Sequence, residues 1–329
     1  MQVRPFGKSD LKVSALGFGC GAVGGLLVKG DPSDMLRAVA RAVDLGVTYF
    51  DTAASYGAGS SEANLGLAVR ETGADVVIGT KIKLAAEDRR DIENSVTRHV
   101  EASLRRLGRD AVDLIQVHNF VSGEFATDSQ WLSVEEVAEV ITVFARLRDK
   151  GKVRYWGING LGDVAAVHRC AEAEMHGIQV CYNLLNPTAG LPAPPGFPFP
   201  DHRQLIAKAA KNGIGVLAIR VLAGGALSGQ LKRHSHATAE VEPISSGESY
   251  DADVRLSQRL IFLVEEGFAD SLIEAAIRFA ISNDAISSAV LGLSDLDQLE
   301  AAARSIEKGP LPAEAVTLLQ ARWAQFGTT

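Results

Sequence analysis

Cysteine is scarce in this chain. Three thiols in 329 residues (Cys20, Cys170 and Cys181) are odd in number and carry no metal-type spacing. They build neither a disulfide framework nor a zinc motif, and free thiols in a reducing compartment are the expectation. Long apolar runs are missing too; none approaches the ~20 residues of a membrane span, so no membrane partner is expected. The opening Met1-Gln2-Val3-Arg4-Pro5 holds no apolar core of a secretory signal, and the expected location is cytoplasmic. There is no basic block either: 33 Lys and Arg against 40 Asp and Glu leave a formal charge of −7, which speaks against a nucleic-acid partner. The 47% of apolar residues excludes wholesale disorder.

What is present is an alternation. Short apolar runs occupy 13–18, 47–50, 76–79, 112–117, 153–158, 178–181, 215–219 and 286–291. Most lack an apolar/polar alternation, the pattern of strands buried on both faces. Helical periodicity fills 33–45, 91–107, 133–150, 162–173, 201–211, 271–281 and 294–304, with a further helix expected as an insertion over 253–266. Ser133 followed three residues later by Glu136 predicts a capping box. Gly46, Gly108, Gly151, Gly177 and Gly213 each follow a helical stretch, where a left-handed residue is wanted. Eight such units in series point to a closed barrel rather than an open sheet. Residues 3–13 read as a hairpin around Gly7-Lys8-Ser9-Asp10 that plugs the barrel bottom. Long loops are expected at 120–132, 186–200 and 230–251; the second holds six of the eleven prolines, and the third is polar.

Gly19-Cys20-Gly21-Ala22-Val23-Gly24 matches G-x-G-x-x-G. That fingerprint works only where a helix opens inside it, and here the helical pattern begins at Ser33. A glycine-rich loop after the first buried strand is the reading that fits.

Ionisable residues fall in a more telling place. Three neighbouring buried strands end in Asp51, Lys81 and His118, the active-site face of a β/α barrel, and Tyr56 follows Asp51 in the next loop. Singly, each has a plain structural reading: Asp51 as a turn or cap, Tyr56 as a surface aromatic, Lys81 as a solvated partner of Lys83, His118 as a semi-buried structural imidazole. Together they make a proton-transfer device. Lys81 is expected to lower the Tyr56 pKa, Asp51 to keep Lys81 charged, and His118 to orient a carbonyl oxygen.

These residues resemble the aldo-keto reductase superfamily. Tyr49-Phe50-Asp51-Thr52-Ala53-Ala54-Ser55-Tyr56-Gly57 with Ser61-Glu62 is similar to its Asp/Tyr stretch, and Thr80-Lys81 to its lysine strand. The stretch 104–118, ending in Gln116-Val117-His118, is similar to its histidine signature; 151–157 and 179–184 resemble the entries to its fifth and sixth strands. The resemblance implies one (β/α)8 TIM barrel over 1–329 with an N-terminal hairpin and long loops on the C-terminal face. It implies a nicotinamide cofactor bound at that face, and a catalytic tetrad of Asp51, Tyr56, Lys81 and His118 with Tyr56 as acid/base. The implied substrate is a small carbonyl or alcohol, met by Tyr56, His118 and Trp131; no metal is implied, and His234-Ser235-His236 reads as solvated.

Cofactor contacts follow from the same resemblance. Asn159 stands where the family usually shows Ser-Asn, and Gln179 matches its partner; together with Gly21 and Asp51 they would hold the nicotinamide end. Ile219 replaces the usual stacking aromatic, and Arg220, Val221, Leu222 and Gly224 would line the pyrophosphate. Gly292, Leu293, Ser294 and Gln298 fall in the adenosine segment, where Asp295 and Asp297 take the place of basic clamps for a 2′-phosphate. NAD is therefore expected over NADP, which leads to an NAD-using sugar or pyridoxal-type dehydrogenase. An NADPH-dependent aldehyde or ketone reductase is the alternative; a non-catalytic nucleotide-sensing subunit is a third.

Overall fold

The apolar runs become a closed parallel barrel in the computed structural model, which describes residues 1–327. Two short strands, β1 (Val3–Pro5) and β2 (Lys12–Ser14), form the predicted hairpin. The barrel then runs β3 (Leu16–Gly19), β4 (Tyr49–Asp51), β5 (Val77–Ile82) and β6 (Val112–Val117). A two-stranded excursion of β7 (Phe120–Ser122) and β8 (Trp131–Ser133) follows. The barrel closes with β9 (Val153–Asn159), β10 (Gly177–Cys181), β11 (Gly215–Ile219) and β12 (Ile286–Gly292), which pairs back to β3.

Helices wrap the outside: α1 (Leu26–Lys29), α2 (Pro32–Asp44), α3 (Ser60–Thr72), α4 (Ile92–Leu107), α5 (Val134–Asp149) and α6 (Val164–Cys170). After them come α7 (Leu205–Lys211), α8 (Tyr250–Gln258), α9 (Phe262–Glu265), α10 (Leu272–Ile281), α11 (Leu296–Glu307) and α12 (Ala313–Trp323). The capping box at Ser133 and Glu136 is present in full. Among the described residues no helix is long and apolar enough to cross a membrane.

The barrel interior is layered. At the bottom Phe6, Leu11 and Val13 of the hairpin pack with Tyr49, Leu114, Leu217 and Val290. Phe6 needs the space left by two glycines: a Cβ on Gly177 would stand 2.7 Å from its ring, and one on Gly215 2.5 Å. Gly177 thus serves close packing at the start of β10. It is not the left-handed helix end expected of it, whereas Gly46, Gly108, Gly151 and Gly213 all have positive φ. Above the apolar floor the inward side chains turn polar: Asp51, Lys81, Gln116, Asn159 and Gln179 are all buried. Between strands and helices lies a large apolar cluster.

Three expectations need correction. Helices α3 and α12 occupy segments for which no helix was expected. The single insertion helix over 253–266 is two helices, broken at 259–261. The glycine-rich segment leads into α1, a helix of only four residues, sooner than the pattern from Ser33 implied.

Candidate active site

Strand register sets the site. Asp51 is the last residue of β4, level with Gly19 on β3 and Gly79 on β5; Lys81 of β5 lies level with Gln116 of β6. Inward residues alternate along each strand, so Tyr49 and Asp51 share the barrel interior with Lys81. Just past β4 the chain makes a tight turn over Tyr56–Gly59, with Gly57 at φ 57° and Ala58 at φ 52°. Three left-handed residues in succession, Gly57, Ala58 and Gly59, fold Tyr56 back over the mouth, and Ala58 holds a conformation that costs a non-glycine residue on the order of 1 kcal/mol. The turn is braced from behind. Thr52 and Ser61 hydroxyls lie 2.8 Å apart, and Ser61 donates to the Cys20 carbonyl. Glu62, fully buried, accepts from Thr80 and from Arg106.

The side chains meet as follows. The Lys81 ammonium donates to Asp51 Oδ1, to the Thr52 carbonyl at 2.9 Å and to the Tyr56 hydroxyl at 3.3 Å. Asp51 Oδ2 accepts from Tyr49 at 3.0 Å and from Gln179 Nε2 at 2.7 Å. The His118 ring stands edge-on to Tyr56, centroids 5.6 Å apart, with Nδ1 3.3 Å from the Ser55 hydroxyl. All four residues named from the sequence therefore share one end of the barrel.

Burial sets the electrostatics. It tends to lower the Lys81 pKa, but Asp51 and Tyr56 outweigh it and hold the ammonium above its ordinary value. Tyr56 is the correction: burial raises its pKa, and this outweighs the lowering by Lys81 that the sequence led us to expect. His118 is pushed down to about 3, first by burial and then by Lys81 and Lys83, so its imidazole is neutral at pH 7. A neutral imidazole donates a hydrogen bond from one nitrogen only.

The remaining residues fall around the same mouth. Asn159 donates to the His118 carbonyl at 3.4 Å, while its buried Oδ1 has no partner. Gly21 backs the Tyr56 ring, 3.2 Å from where its Cβ would be. Arg220 sits at φ 56° and donates to the Glu242 carbonyl at 3.2 Å. Val221 is buried, and Leu222 leads into a turn holding Gly224 at φ 69°. Gly292 and Leu293 press against Gly24, whose Cβ would stand 2.2 Å from the Leu293 nitrogen. Ser294 donates to the Gly24 carbonyl, and its backbone nitrogen donates to the Gln298 side chain. Asp295, not Ser294, caps α11 through the Gln298 nitrogen. Trp131 packs on Phe120, next to Gln130, which accepts from Lys83. Phe197, Phe199 and Phe326 pack on one another.

Sequence reasoning missed several participants. Tyr49, in the apolar floor, and Gln116, in the polar layer above it, are both buried. The polar segment 230–249 is pinned at several points: Arg233 donates to Val23, Gly224 and Thr238 carbonyls, and Thr238 to Ala22. His236 lies 2.9 Å from the Ser294 carbonyl, and His234 3.6 Å from Asp295.

The model of the "Aldo/keto reductase family" matches residues 15–324. This chain belongs to the aldo/keto reductase family. Its members are oxidoreductases that use nicotinamide cofactors. The chain is 26% identical to L-galactose dehydrogenase of Arabidopsis thaliana, covering 98% of this chain and 94% of that one. It is 27% identical to the aldo-keto reductase YhdN of Bacillus subtilis, over 92% and 87%. The holo form of aldo-keto reductase AKR11C1 from Bacillus halodurans superposes with a TM-score of 0.73 at 24% identity, over 98% and 96%, a likeness of fold.

Proposed function

We propose that this aldo/keto reductase interconverts an alcohol and a carbonyl with NAD, acting as a sugar-type dehydrogenase. The observation that carries the reading is the hydroxyl of Tyr56 held 3.3 Å from a buried, charged Lys81 that Asp51 compensates. Bound nicotinamide supplies or accepts the hydride. Tyr56 gives or takes the proton at the substrate oxygen. Lys81 stabilises the phenolate that results, and Asp51 keeps Lys81 in place. Neutral His118 donates to the same substrate oxygen and fixes its approach. Trp131 forms a wall of the substrate space from the β6–α5 excursion.

The residues at the mouth fit such a cofactor. The partnerless, buried Asn159 Oδ1 suits a carboxamide N–H, with Gly21, Asp51 and Gln179 around it. Gln179 already donates to Asp51, so it acts chiefly through its other amide atom. Arg220, which has a carbonyl as its hydrogen-bond acceptor, suits a pyrophosphate, and Val221, Leu222 and Gly224 shape the wall. Gly292, Leu293, Ser294 and Gln298 form the floor under the adenosine end. Asp295 and Asp297 stand there where a 2′-phosphate needs cations, which favours NAD; the imidazoles of His234 and His236 lie beside Asp295 and the Ser294 carbonyl. The likeness to L-galactose dehydrogenase supports sugar oxidation. An NADPH-dependent aldehyde or ketone reductase is the reading to which a preference for NADPH would lead. We further place the chain, as one barrel unit over 1–329, in a reducing compartment such as the cytoplasm, on its three unpaired buried cysteines.

The test is a panel of aldoses, alcohols and aldehydes assayed with NAD and NADP by the absorbance of reduced nicotinamide. Turnover of an aldose with NAD at higher kcat/KM than with NADP is expected. Turnover confined to aldehydes with NADPH contradicts both the direction and the cofactor.

A further inference from the structure

Beneath the tetrad lies a second phenol. Tyr49 is fully buried, two residues before Asp51 on the same strand, so both side chains enter the barrel. Its hydroxyl donates to Asp51 Oδ2 at 3.0 Å, the oxygen that also accepts from Gln179. Lys81 takes the other oxygen. The carboxylate is thus met by donors from below, across and beside it.

Space for this phenol is made by neighbouring strands. A Cβ on Gly79 would stand 2.3 Å from the Tyr49 hydroxyl, and a Cβ on Gly17 3.0 Å from its ring. The ring itself packs in an apolar layer with Val13, Leu114, Leu217 and Val290, where a phenylalanine would fill the same volume. Packing therefore does not account for the hydroxyl; Asp51 does. Burial holds the Tyr49 pKa well above that of a free phenol, with the Asp51 charge adding to it, so Tyr49 stays a neutral donor and carries no proton away.

We propose that Tyr49 is a positioning residue: its hydroxyl fixes the Asp51 carboxylate against Lys81, takes up part of its charge, and so sets the pH at which Tyr56 ionises. The inference rests on the acid/base role given to Tyr56 above. The Asp51 charge opposes ionisation of Tyr56, and Lys81 favours it. When the Tyr49 bond is removed, more of the carboxylate charge acts on Tyr56, and the phenolate forms only at higher pH. One hydrogen bond to a charged group corresponds to about one pH unit on that group, here Asp51, and this bounds the shift passed on to Tyr56.

The experiment is the pH profile of alcohol oxidation for wild type, Tyr49→Phe, Asp51→Asn and the double variant, with thermal unfolding to confirm that each folds. For Tyr49→Phe the rising limb should move up by as much as about one unit, with up to about tenfold lower kcat below it and an unchanged KM. In the Asp51→Asn background the same change should leave the limb where it is, because no carboxylate charge remains for the Tyr49 hydroxyl to take up. Gly79→Ala, which pushes the hydroxyl aside while keeping the phenol, should move the limb the same way; this arm decides the matter if Tyr49→Phe is unstable. A wild-type profile for Tyr49→Phe, or an equal loss in both backgrounds, overturns the proposal and leaves the role of Tyr56 standing. Wild-type turnover by Asp51→Asn alone overturns the tetrad reading and this inference with it.

Discussion

Breaking the Lys81–Asp51 pair from one side should cost far more stability than removing both charges. The Lys81 side chain is 0% exposed and that of Asp51 5%, so water cannot replace a missing partner. Lys81→Met leaves Asp51 with Tyr49 and Gln179 as donors. Asp51→Asn leaves Lys81 with the Thr52 carbonyl and Tyr56. Those residual contacts place each single variant at the lower end of the usual cost of a broken buried pair, about 3 kcal/mol. In Lys81→Met/Asp51→Asn no charge is stranded, and the new amide oxygen would still accept from the floor and from across the barrel. The double variant should lose only about 1–2 kcal/mol, a coupling of about 4–5 kcal/mol. Scanning calorimetry at pH 7 reads this as a drop of roughly 4–5 °C for each single change. The pH dependence has a fixed sign. The folded Lys81 pKa is raised, so its contribution is whole below the free-lysine value of about 10.4 and fades as the pH passes the folded one. The gap between wild type and Asp51→Asn must therefore narrow in strong alkali. Single variants within about 1 kcal/mol of wild type, adding up in the double, would refute the buried-pair argument.

Two further outcomes follow from the electrostatics. His118, pushed down to about 3 chiefly by burial, should show no imidazole titration by NMR between pH 8 and pH 4.5, and a midpoint near 6.5 contradicts its placement. The unfolded chain takes up that proton below about 6.5 and the fold does not, so this group makes the protein less stable as pH falls from there. The thiols of Cys170 and Cys181, each raised to about 12 mainly by burial, and that of Cys20, raised further, should resist a disulfide reagent in the native protein and react only on unfolding. Rapid modification of any one of them in the folded state counts against the core described.

Much of this architecture was legible because barrel strands are buried on both faces and read as unbroken apolar runs. The strand ends delivered Asp51, Lys81 and His118 to one face by topology alone. Helix α3 escaped notice because its buried side includes Ser61, Glu62 and Gly66, which hide the apolar stripe. In α12 Ala315, Leu319 and Trp323 recur every fourth residue, but this stripe follows the eighth strand–helix unit and lies outside the repeating pattern of the barrel. Contacts across the barrel, such as Gln179 to Asp51 over 128 residues of chain, leave no local trace. The direction of the Tyr56 shift was misjudged for a related reason: the nearby cation was visible in sequence, but the depth of burial was not.

The central claim is that the Tyr56 hydroxyl moves the proton, and Tyr56→Phe tests it most directly. With NAD affinity followed by nucleotide fluorescence and turnover by absorbance, the account predicts binding within about twofold of wild type and turnover lowered by about 10²–10⁴. Undiminished turnover in a variant that still binds the nucleotide contradicts it.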